Sequence, residues 1–422
     1  MNILIIDHYA GSRSLGMEFR PYYLARQWQR MGHIVTIAAA DYSHLRAVNV
    51  ASSGRAQSKR VDGVDYIFLR TPEYTGNGLG RARNIAAFLS GLWRLSRRIA
   101  SGFCPDVVIA SSTYPMDIWP ARHIAKMCGA KLVWEIHDIY PDSLCLHHFP
   151  GIIRRMAAAA MNAAVDFACG KSDLIVSVLS HARLFLEGRK LGAEAVKKLV
   201  YIPNGAEAGD ISGQGEPSAY CRALITAIEK LRADGRFVVM YLGGFAAANA
   251  LDEFVWASRL VKNAAFVLVG NGLDRARLKR LAEREGISRE NRIFFFDAVE
   301  KDDVQELLTH ADCLYAGLRR SELYRFGVGM NKLYDYMLSA RPVICGMDAP
   351  FNMIEESGCG LVIPPEDSAA IAEAVTRLAD MPQTARDRMG LRGREYVLAN
   401  NSWSVLARRF LDALGERSEP EQ

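Results

Sequence analysis

Residues able to do chemistry are concentrated in one short stretch, RFGVGMNKLYDYMLSARPVICG at 325–346. Gly327 allows the backbone to turn tightly, and a short helix predicted to begin near Asn331 points its free amide groups and positive dipole end at that turn. Lys332 adds a positive charge, and Asp335 adds a carboxylate one turn later. The stretch therefore predicts an anion site with a carboxylate able to hold the two hydroxyl groups of a ribose. The alternative is an ordinary Lys–Asp pair on a solvated helix face.

Two other loops place glycine between a predicted strand and a predicted helix in the same half of the chain. Gly243 and Gly244 lie in YLGGF, and Gly270, Asn271 and Gly272 lie in LVGNG. Neither loop is a complete Gly-x-Gly-x-x-Gly, and a glycine at a strand end can serve a turn alone. Three such ends on one sheet nevertheless favour a site for nucleotide phosphates.

The first half of the chain offers a histidine and an arginine near predicted strand or helix ends. His137 and Asp138 follow the apolar run KLVWEI, and a lone histidine after a buried strand is usually a core residue. Gly16 belongs to a glycine loop that precedes the helix carrying Arg20. We interpret Arg20 either as a ligand for the phosphate of an acceptor or as an ordinary surface arginine.

These residues must be positioned by strands, and apolar strand-like runs recur along the chain with helical stretches between them. Apolar strands flanked by helices indicate parallel sheets covered on both faces. Ligands on such doubly wound sheets bind beyond the carboxyl ends of the strands, so we expect the site in a cleft between two domains. The predicted strands are NILIID, HIVTIAA, PDVVIA, KLVWEIH and DLIVSV in the first half, and FVVMYLG, AAFVLVG, RIFFFD, DCLYAGL, PVICG and GLVIP in the second.

The strand pattern stops and restarts across residues 203–220, a segment rich in Gly, Pro and Ser. A chain of 422 residues, half of them apolar, is expected to form two cores rather than one. We therefore predict an α/β protein with two Rossmann-like, doubly wound parallel-sheet domains, at 1–203 and 204–399.

Composition argues against several classes of protein. The eight cysteines include no Cys-x-x-Cys pair, which disfavours a disulfide scaffold or a zinc site and fits a reducing cytoplasm. The chain start lacks the features of a secretion signal, and no apolar run reaches bilayer length. Residues 1–205 hold 25 Lys and Arg against 15 Asp and Glu, so we expect an anionic partner, such as a phosphorylated acceptor or an acidic lipid, or simply a solvated basic face.

Over nearly its whole length the sequence resembles the glycosyltransferases of family 4, which share the two-domain fold called GT-B. The most similar members are bacterial enzymes that assemble surface polysaccharides and O-antigens. The motifs, in the order and spacing of the family, are GSRSLGMEFRPYYLARQWQRMGHIVTI at 11–37, EIHDIYPDSL at 135–144, IPNG at 202–205, LVGNG at 268–272, NKLYDYMLSARPVI at 331–344 and GCGLVIPPED at 358–367.

The resemblance implies a retaining, metal-independent transfer of a sugar, such as an N-acetylated amino or deoxy sugar, from a nucleotide-diphosphate donor. The predicted donor is a UDP-sugar, held mainly by the second domain, and the first domain is expected to hold the acceptor. No metal is expected, because metal-dependent transferases of the other common fold carry an Asp-x-Asp triplet that this sequence lacks. Helix ends and cationic side chains must then hold the diphosphate. The resemblance also implies that the helical stretch at 400–416 crosses back to the first domain.

Residue by residue, Asp335 matches the family glutamate that binds ribose, and His137 matches the histidine beside the scissile bond. The first motif glutamate, eight positions before Asp335, would be Gly327, so the sequence departs from the family there. Glu322 is a substitute for that acid. No general base is assigned, since the leaving diphosphate is thought to take the proton of the acceptor.

The family often places Arg and Lys just after its first glycine loop, but residues 245–248 are uncharged here. Lys332, with Arg325, must then supply the positive charge. The predicted catalytic residues are His137, Lys332 and Asp335. Arg20 and Asp138 are predicted to contact the acceptor. The predicted donor-binding residues are Gly16, Gly243, Gly244, Gly270, Asn271, Gly272, Phe326, Gly327, Asn331, Lys332 and Asp335.

Residues 81–103 predict a basic amphipathic helix. Its apolar stripe is expected to pack on the sheet, leaving its arginines able to meet lipid headgroups, and the alternative is direct contact with an anionic membrane. The predicted partners are a nucleotide sugar and a glycan or polyprenyl-diphosphate-linked acceptor, without nucleic acid. The predicted location is the cytoplasm, with peripheral contact at the inner face of the cytoplasmic membrane as an option.

Two other functions stay open from the sequence. A nucleotide-sugar epimerase of the same two-domain shape would bind the same donor, but it would need acid and base carboxylates and no acceptor. A catalytically inactive sugar-nucleotide-binding partner is kept open by the missing first glutamate. Incubating the donor without acceptor separates the epimerase, which alone would form a new isomer.

Overall fold

Two α/β units, each with its own largely parallel sheet, make up the chain. In this computed structural model we describe residues 1–76, 78–143, 151–207, 209, 216–287 and 292–415, so parts of the predicted linker at 203–220 and the end of the stretch at 400–416 lie outside the described residues. The first unit comprises Met1–Pro203, Arg325–Gly329 and Trp403–Gln422, and the second comprises Asn204–Tyr324 and Met330–Ser402.

Eight strands form the sheet of the first unit. They are β1 (Asn2–Ile6), β2 (Ile34–Ala40), β3 (Ala56–Val61), β4 (Val64–Leu69), β5 (Val107–Ala110), β6 (Lys131–Ile136), β7 (Leu174–Ser177) and β8 (Leu199–Tyr201). Their order is β3-β4-β2-β1-β5-β6-β7-β8, and all neighbours are parallel except β3 and β4. β5 and β7 are buried along their whole length because helices cover both faces of the sheet.

The helices of the first unit include one from the end of the chain. They are α1 (Arg20–Arg30), α2 (Leu79–Phe103), α3 (Ile118–Cys128), α4 (Gly151–Lys171), α5 (Ala182–Glu187), α6 (Gly192–Lys197) and α15 (Trp403–Ala413). The indole N–H of Trp28 in α1 donates to the carbonyl of Ala407 at 3.0 Å, and its ring packs on Phe410. None of the helices in the described ranges combines the length and the apolar character needed to cross a bilayer.

The second unit is built on six strands, all parallel, in the order β11-β10-β9-β12-β13-β14. They are β9 (Phe237–Leu242), β10 (Ala264–Val269), β11 (Ile293–Phe296), β12 (Cys313–Gly317), β13 (Val343–Gly346) and β14 (Gly360–Ile363). Its helices are α7 (Ala219–Ala233), α8 (Leu251–Leu260), α9 (Arg275–Arg284), α10 (Val304–Thr309), α11 (Asn331–Leu338), α12 (Met353–Ser357), α13 (Ser368–Asp380) and α14 (Gln383–Asn401).

The fold class predicted from the sequence is confirmed, since every predicted strand lies in one of the two sheets. The helix predicted at 81–103 is α2. Sequence analysis missed β3, β4 and β8. β3 is polar along much of its length, but Asp62-Gly63 joins it to β4, and an Asp-Gly pair between two strands is a signal for a tight hairpin.

Each sheet has one point where the strand order reverses. β1 lies between β2 and β5 in the first sheet, and β9 lies between β10 and β12 in the second. Because the connections there leave toward opposite faces, a crevice opens at the carboxyl ends of these strands. Asp7 follows β1 and His137 follows β6 at that edge of the first sheet, while Gly243 follows β9 and Arg319 lies just beyond β12 in the second.

Candidate active site

Lys332 places a positive charge beside the first glycine loop of the second unit. From the start of α11, its Nζ donates to the hydroxyl of Tyr241 at 2.7 Å and to Oδ1 of Asn249 at 3.1 Å. A Cβ on Gly243 would lie only 3.3 Å from Nζ, so the glycine leaves room for the ammonium group. Both partners are neutral, and burial lowers the pKa of Lys332 to about 7. An anion here would supply the negative charge that this lysine lacks.

Asp335 lies one turn further along α11 and pairs with a lysine that sequence analysis missed. Its Oδ1 accepts a hydrogen bond from Nζ of Lys301 at 2.7 Å, and its main-chain carbonyl accepts from Gln305. Lys332 and Asp335 therefore do not form the solvated pair considered from the sequence. Lys301 lies shortly after the predicted strand RIFFFD, at the carboxyl edge where ligands of parallel sheets bind, and this position was the available signal.

The second glycine loop of this unit supports the first. A Cβ on Gly270 would lie 2.0 Å from the carbonyl oxygen of Gly243, and one on Gly272 would lie 2.3 Å from that of Phe245. The amide of Phe245 donates to the carbonyl of Asn271 at 2.8 Å. Gly270 and Gly272 thus allow two backbones to touch, whereas a Cβ on Gly244 would meet open space.

The residues at and before the start of α11 divide between the two units. Oδ1 of Asn331 accepts from Nδ2 of Asn204 at 2.6 Å within the second unit. Phe326 and Gly327 instead belong to the first unit, where the carbonyl of Phe326 accepts from the amide of His181 at 2.9 Å. Phe326 is buried, so its surroundings do not support the predicted contact between its ring and the donor.

Position 327 cannot carry the family glutamate in this backbone. Gly327 has φ +105°, and a Cβ there would lie 2.6 Å from the amide nitrogen of Ser180. Glu322, the substitute considered from the sequence, is exposed in a 3-10 turn. Arg325 is also exposed, and its guanidinium stacks 4.7 Å from the ring of Phe326.

Arg319 is a cation beside the glycine loop that sequence analysis missed. Its amide donates to the carbonyl of Ala248 at 2.9 Å, and its guanidinium lies 3.6 Å from Asp252. The signal was its place just after the buried strand DCLYAGL, at the carboxyl edge where ligands of parallel sheets bind.

His137 lies at the corresponding edge of the first unit and is largely buried. Its Nε2 lies 3.2 Å from Oγ of Ser111 and 3.4 Å from Oε2 of Glu135. Burial lowers the pKa of His137, but the hydrogen bond and charge of Glu135 outweigh that effect, so the net shift is upward. Asp138, the next residue, is exposed.

Arg20 is buried, which corrects its sequence-based interpretation as a surface arginine. Its side chain is 3% exposed, and its guanidinium holds Glu135 at 2.6 Å. It also donates to the main-chain carbonyls of Ile202 and Pro203. Arg20 is therefore not a surface arginine, and its contact with an acceptor phosphate stays a prediction.

Gly16 closes a tight loop before α1. The amide of Ser12 donates to the carbonyl of Gly16 at 3.0 Å, and the amide of Gly16 donates back at 2.8 Å. The loop brings Glu18 into the electrostatic surroundings of His137. Asp7, at the end of β1, is a further carboxylate near His137 that sequence analysis missed, and burial raises its pKa to about 7.

Two family models match the chain. "Glycosyltransferase Family 4" matches residues 16–208, and "Glycosyl transferases group 1" matches residues 236–381, so together they span most of the sequence. The chain belongs to the family 4 glycosyltransferases. The resemblance stated from the motifs is thereby confirmed, and the prediction of an enzyme with it.

Three relatives of this glycosyltransferase differ in what their names describe. The chain is 24% identical over 272 residues to an alpha-D-kanosaminyltransferase of Streptomyces kanamyceticus, covering 63% of this chain and 65% of that protein. It is 21% identical over 390 residues to the probable glycosyltransferase WbjE of Pseudomonas aeruginosa, covering 90% of each. It is 28% identical over 227 residues to a GDP-mannose-dependent alpha-(1-6)-phosphatidylinositol monomannoside mannosyltransferase of Mycobacterium tuberculosis, covering 51% of this chain and 55% of that protein. The chain thus spans less than two thirds of the first and third of these relatives.

Solved structures share the fold of this glycosyltransferase. HepE from Anabaena, in complex with UDP and glucose, aligns over 99% of this chain and 100% of its own with a TM-score of 0.65 at 14% identity. WaaG, a glycosyltransferase involved in lipopolysaccharide biosynthesis, aligns over 98% and 100% with a TM-score of 0.63 at 15% identity. These likenesses show the GT-B fold, as the motifs predicted.

A glycosyltransferase must hold a negatively charged leaving group and stabilise positive charge at the transferred carbon. In the second unit, Lys332 and the N-terminal end of the α11 dipole offer positive charge, and Asp335 offers a hydroxyl acceptor. In the first unit, His137 is surrounded by carboxylates. The roles of these residues in transfer stay predictions.

Proposed function

We propose that this glycosyltransferase moves a sugar from a UDP-linked donor to a lipid-linked or glycan acceptor in surface polysaccharide biosynthesis, with retention and without a metal ion. The transferred sugar is an N-acetylated amino or deoxy sugar. The observation that carries the proposal is Lys332, a cation beside Gly243 at the end of β9 whose hydrogen-bond partners among the described residues are neutral.

The diphosphate is proposed to lie between the first glycine loop and the start of α11. Lys332 supplies a positive charge, because a bound anion favours its protonated form, and the start of α11 adds the positive end of the helix dipole. Arg319 extends the positive charge along the same edge of the sheet. These groups supply the charge that a divalent cation supplies in metal-dependent transferases.

The nucleoside is proposed to lie further along α11. Asp335 accepts the ribose hydroxyls, and the hydrogen bond from Lys301 holds its carboxylate in place. Support for uracil as the base comes from HepE, a fold relative in complex with UDP. The GDP-mannose-dependent relative makes GDP the competing donor, so binding of UDP and GDP must be compared directly.

The transfer step is proposed to need no general base from the protein. The leaving diphosphate takes the proton of the acceptor hydroxyl as the new bond forms on the same face of the sugar. His137 hydrogen-bonds the donor sugar and stabilises the transition state.

A lipid-linked acceptor is supported by an exposed basic and apolar patch in the first unit. Ile152 and Met156, in the first turns of α4, are 71% and 68% exposed and flank Arg154 and Arg155. Apolar side chains interleaved with arginines suit an anionic bilayer surface. The predicted basic helix α2 adds the exposed Trp93.

Vesicle binding tests this contact. We expect the protein to sediment with phosphatidylglycerol vesicles and the double variant Ile152→Ser/Met156→Ser to remain in the supernatant. Leu391→Ser, which alters an exposed leucine of the second unit, is the control. Equal sedimentation of all three proteins would contradict the membrane contact.

Donor binding and turnover test the main proposal. We expect UDP to bind in the presence of a chelator, and Lys332→Met to weaken it by at least about tenfold, since a hydrogen bond to a charged group contributes about 1.5–3 kcal/mol. Lys262→Met, which removes an exposed lysine of the same unit, should leave the affinity unchanged. The proposal fails if UDP binding requires magnesium or if UDP binds Lys332→Met as tightly as the parent protein.

A second experiment incubates the donor without acceptor. Formation of a donor isomer would identify an epimerase instead.

A further inference from the structure

A buried chain of polar groups links Arg20 to His137 through the first unit. The guanidinium of Arg20 donates to Oε1 of Glu135 at 2.6 and 2.9 Å. The hydroxyl of Ser111 donates to Oε2 of the same carboxylate at 2.5 Å. Nε2 of His137 lies 3.2 Å from the Ser111 oxygen and 3.4 Å from Oε2. Three elements, α1, β5 and β6, therefore converge on one carboxylate.

The ion pair between Arg20 and Glu135, at one end of these linked polar groups, is fixed in place. The side chains of Arg20 and Glu135 are 3% and 2% exposed. Burial raises the pKa of Glu135, but the charge of Arg20 and the hydrogen bonds from His137 and Arg20 outweigh it, so the pKa lies far below its usual range. Glu135 stays a carboxylate, and breaking such a pair from one side would leave a buried charge.

The directions of these hydrogen bonds determine which nitrogen of His137 carries a proton. Because Ser111 donates its only hydroxyl hydrogen to Glu135, its oxygen can only accept from His137. Nε2 therefore carries a proton. Nδ1 has no hydrogen-bond partner among the described residues, and the side chain is 15% exposed, so Nδ1 is the atom left for a substrate.

The charges around His137 are mostly negative. Among the described residues, the charge of Arg20 opposes protonation of His137, but Arg20 is already paired with Glu135. The titratable groups that face His137 from the surrounding strand ends, α1 and the loops are Asp7, Glu18, Arg20, Asp117, Glu135 and Asp138.

We propose that Glu135, anchored by Arg20 and bridged by Ser111, is a positioning residue that keeps His137 as an imidazolium with its Nδ1–H available to a substrate oxygen. This inference deepens the proposed function and rests on its assignment of His137 to the donor sugar. A protonated Nδ1 donates a charge-assisted hydrogen bond to a sugar or phosphate oxygen. A neutral ring would instead offer Nδ1 as a base, which retaining transfer does not need.

Titration of His137 by NMR in histidine-labelled protein tests the proposal without any substrate. The resonance is assigned with His137→Gln. We expect Glu135→Gln to lower the pKa of His137 by about one pH unit or more, because an opposite charge within hydrogen-bond distance has been removed. Glu73→Gln, which neutralises an exposed carboxylate of the same unit, should leave it unchanged. An unchanged pKa in Glu135→Gln would overturn the proposal.

Ser111→Ala provides a second variant that keeps the buried ion pair intact, in case Glu135→Gln fails to fold. Removing the bridging hydroxyl should also lower the pKa of His137, by less than the loss of the carboxylate. A His137 pKa in Ser111→Ala equal to or above that of the parent protein would count against the bridging role of Ser111.

The pH profile of kcat carries the functional half of the test. If the imidazolium is the active form, activity falls as pH rises through the pKa of His137, so Glu135→Gln should move this alkaline limb to lower pH and recover activity in acid. A loss of activity equal at every pH would indicate a merely structural role and overturn the proposal. A different result would separate this proposal from the proposed function. If Glu135→Gln lowers the pKa of His137 but the parent protein transfers no sugar, the effect of Glu135 on His137 is supported and the proposed function is contradicted.

Discussion

At the scale of single residues, Lys332 and Arg20 show how partners decide what a charge can do. Both are basic, and Arg20 is buried while Lys332 is partly buried. Arg20 is neutralised by Glu135, whereas among the described residues Lys332 donates to a phenol and an amide. A buried cation without a counter-charge is unfavourable, so Lys332 is the one whose environment improves when an anion binds.

The first prediction follows from the pKa of Lys332, which burial lowers to about 7. An anion stabilises the protonated form, so UDP binding takes up a proton wherever the free enzyme has lost it. Affinity for UDP should therefore fall between about pH 7.5 and 9.5, by up to tenfold per pH unit, and isothermal titration in buffers of different ionisation enthalpy would detect the proton. Lys332→Arg, which stays charged, should bind with little pH dependence. A Lys332→Arg variant that keeps the full pH dependence would assign it to another group.

The second prediction separates Asp335 from Lys332. If Asp335 holds the ribose and Lys332 the diphosphate, Asp335→Asn should weaken UDP about tenfold and leave inorganic pyrophosphate unaffected, because the lost charge-assisted hydrogen bonds involve only the ribose. Lys332→Met should weaken both ligands. Competition binding with the two ligands measures this, and equal losses for pyrophosphate in both variants would contradict the assignment.

At the scale of elements, the glycines of the second unit are explained by packing as much as by ligand contact. The motif LVGNG suggested a phosphate loop, but Gly270 and Gly272 allow the backbone of one loop to touch that of residues 243–245. The sequence could place glycine at each strand end. It could not show which loops lie against each other, because that depends on the order β10-β9-β12.

The third prediction tests this difference with a matched pair of substitutions. Gly272→Ala would put a Cβ 2.3 Å from the carbonyl oxygen of Phe245, whereas Gly244→Ala would place one in open space. Overpacking against backbone typically costs about 1–3 kcal/mol, so Gly272→Ala should lower the free energy of unfolding by that amount. Gly244→Ala should change it little. Denaturant unfolding followed through the second unit gives both values, and equal stability of the two variants would refute the packing role.

At the scale of the whole molecule, each unit draws on distant parts of the chain. The first unit takes α15 from the end of the sequence, and its core includes Trp28 of α1 together with Leu406 and Phe410 of α15. It also takes residues 325–329 from the middle of the second half. A cut at the predicted boundary near 203 would therefore leave the first unit without part of its core.

The fourth prediction is that Phe410→Ala destabilises the first unit in particular. Truncating a fully buried phenylalanine typically costs about 3–5 kcal/mol, because a cavity remains. Leu184→Ala, at a leucine that is 49% exposed in the same unit, should cost far less. The two units need not unfold together, so hydrogen exchange resolved by peptide is the appropriate measurement. Faster exchange in the second unit alone would contradict the prediction.

Local composition was enough to determine the alternating strands and helices, the two-sheet α/β class and the family motifs, because hydrophobic periodicity and glycine placement act within a few residues. The partners of the charged side chains were decided only by tertiary structure. Glu135, the buried ion-pair partner of Arg20, is 115 positions away from it in sequence, and Tyr241 is 91 positions from Lys332. Which charge is neutralised and which is left for a ligand depends on strand order and burial, and no spacing along the chain encodes either.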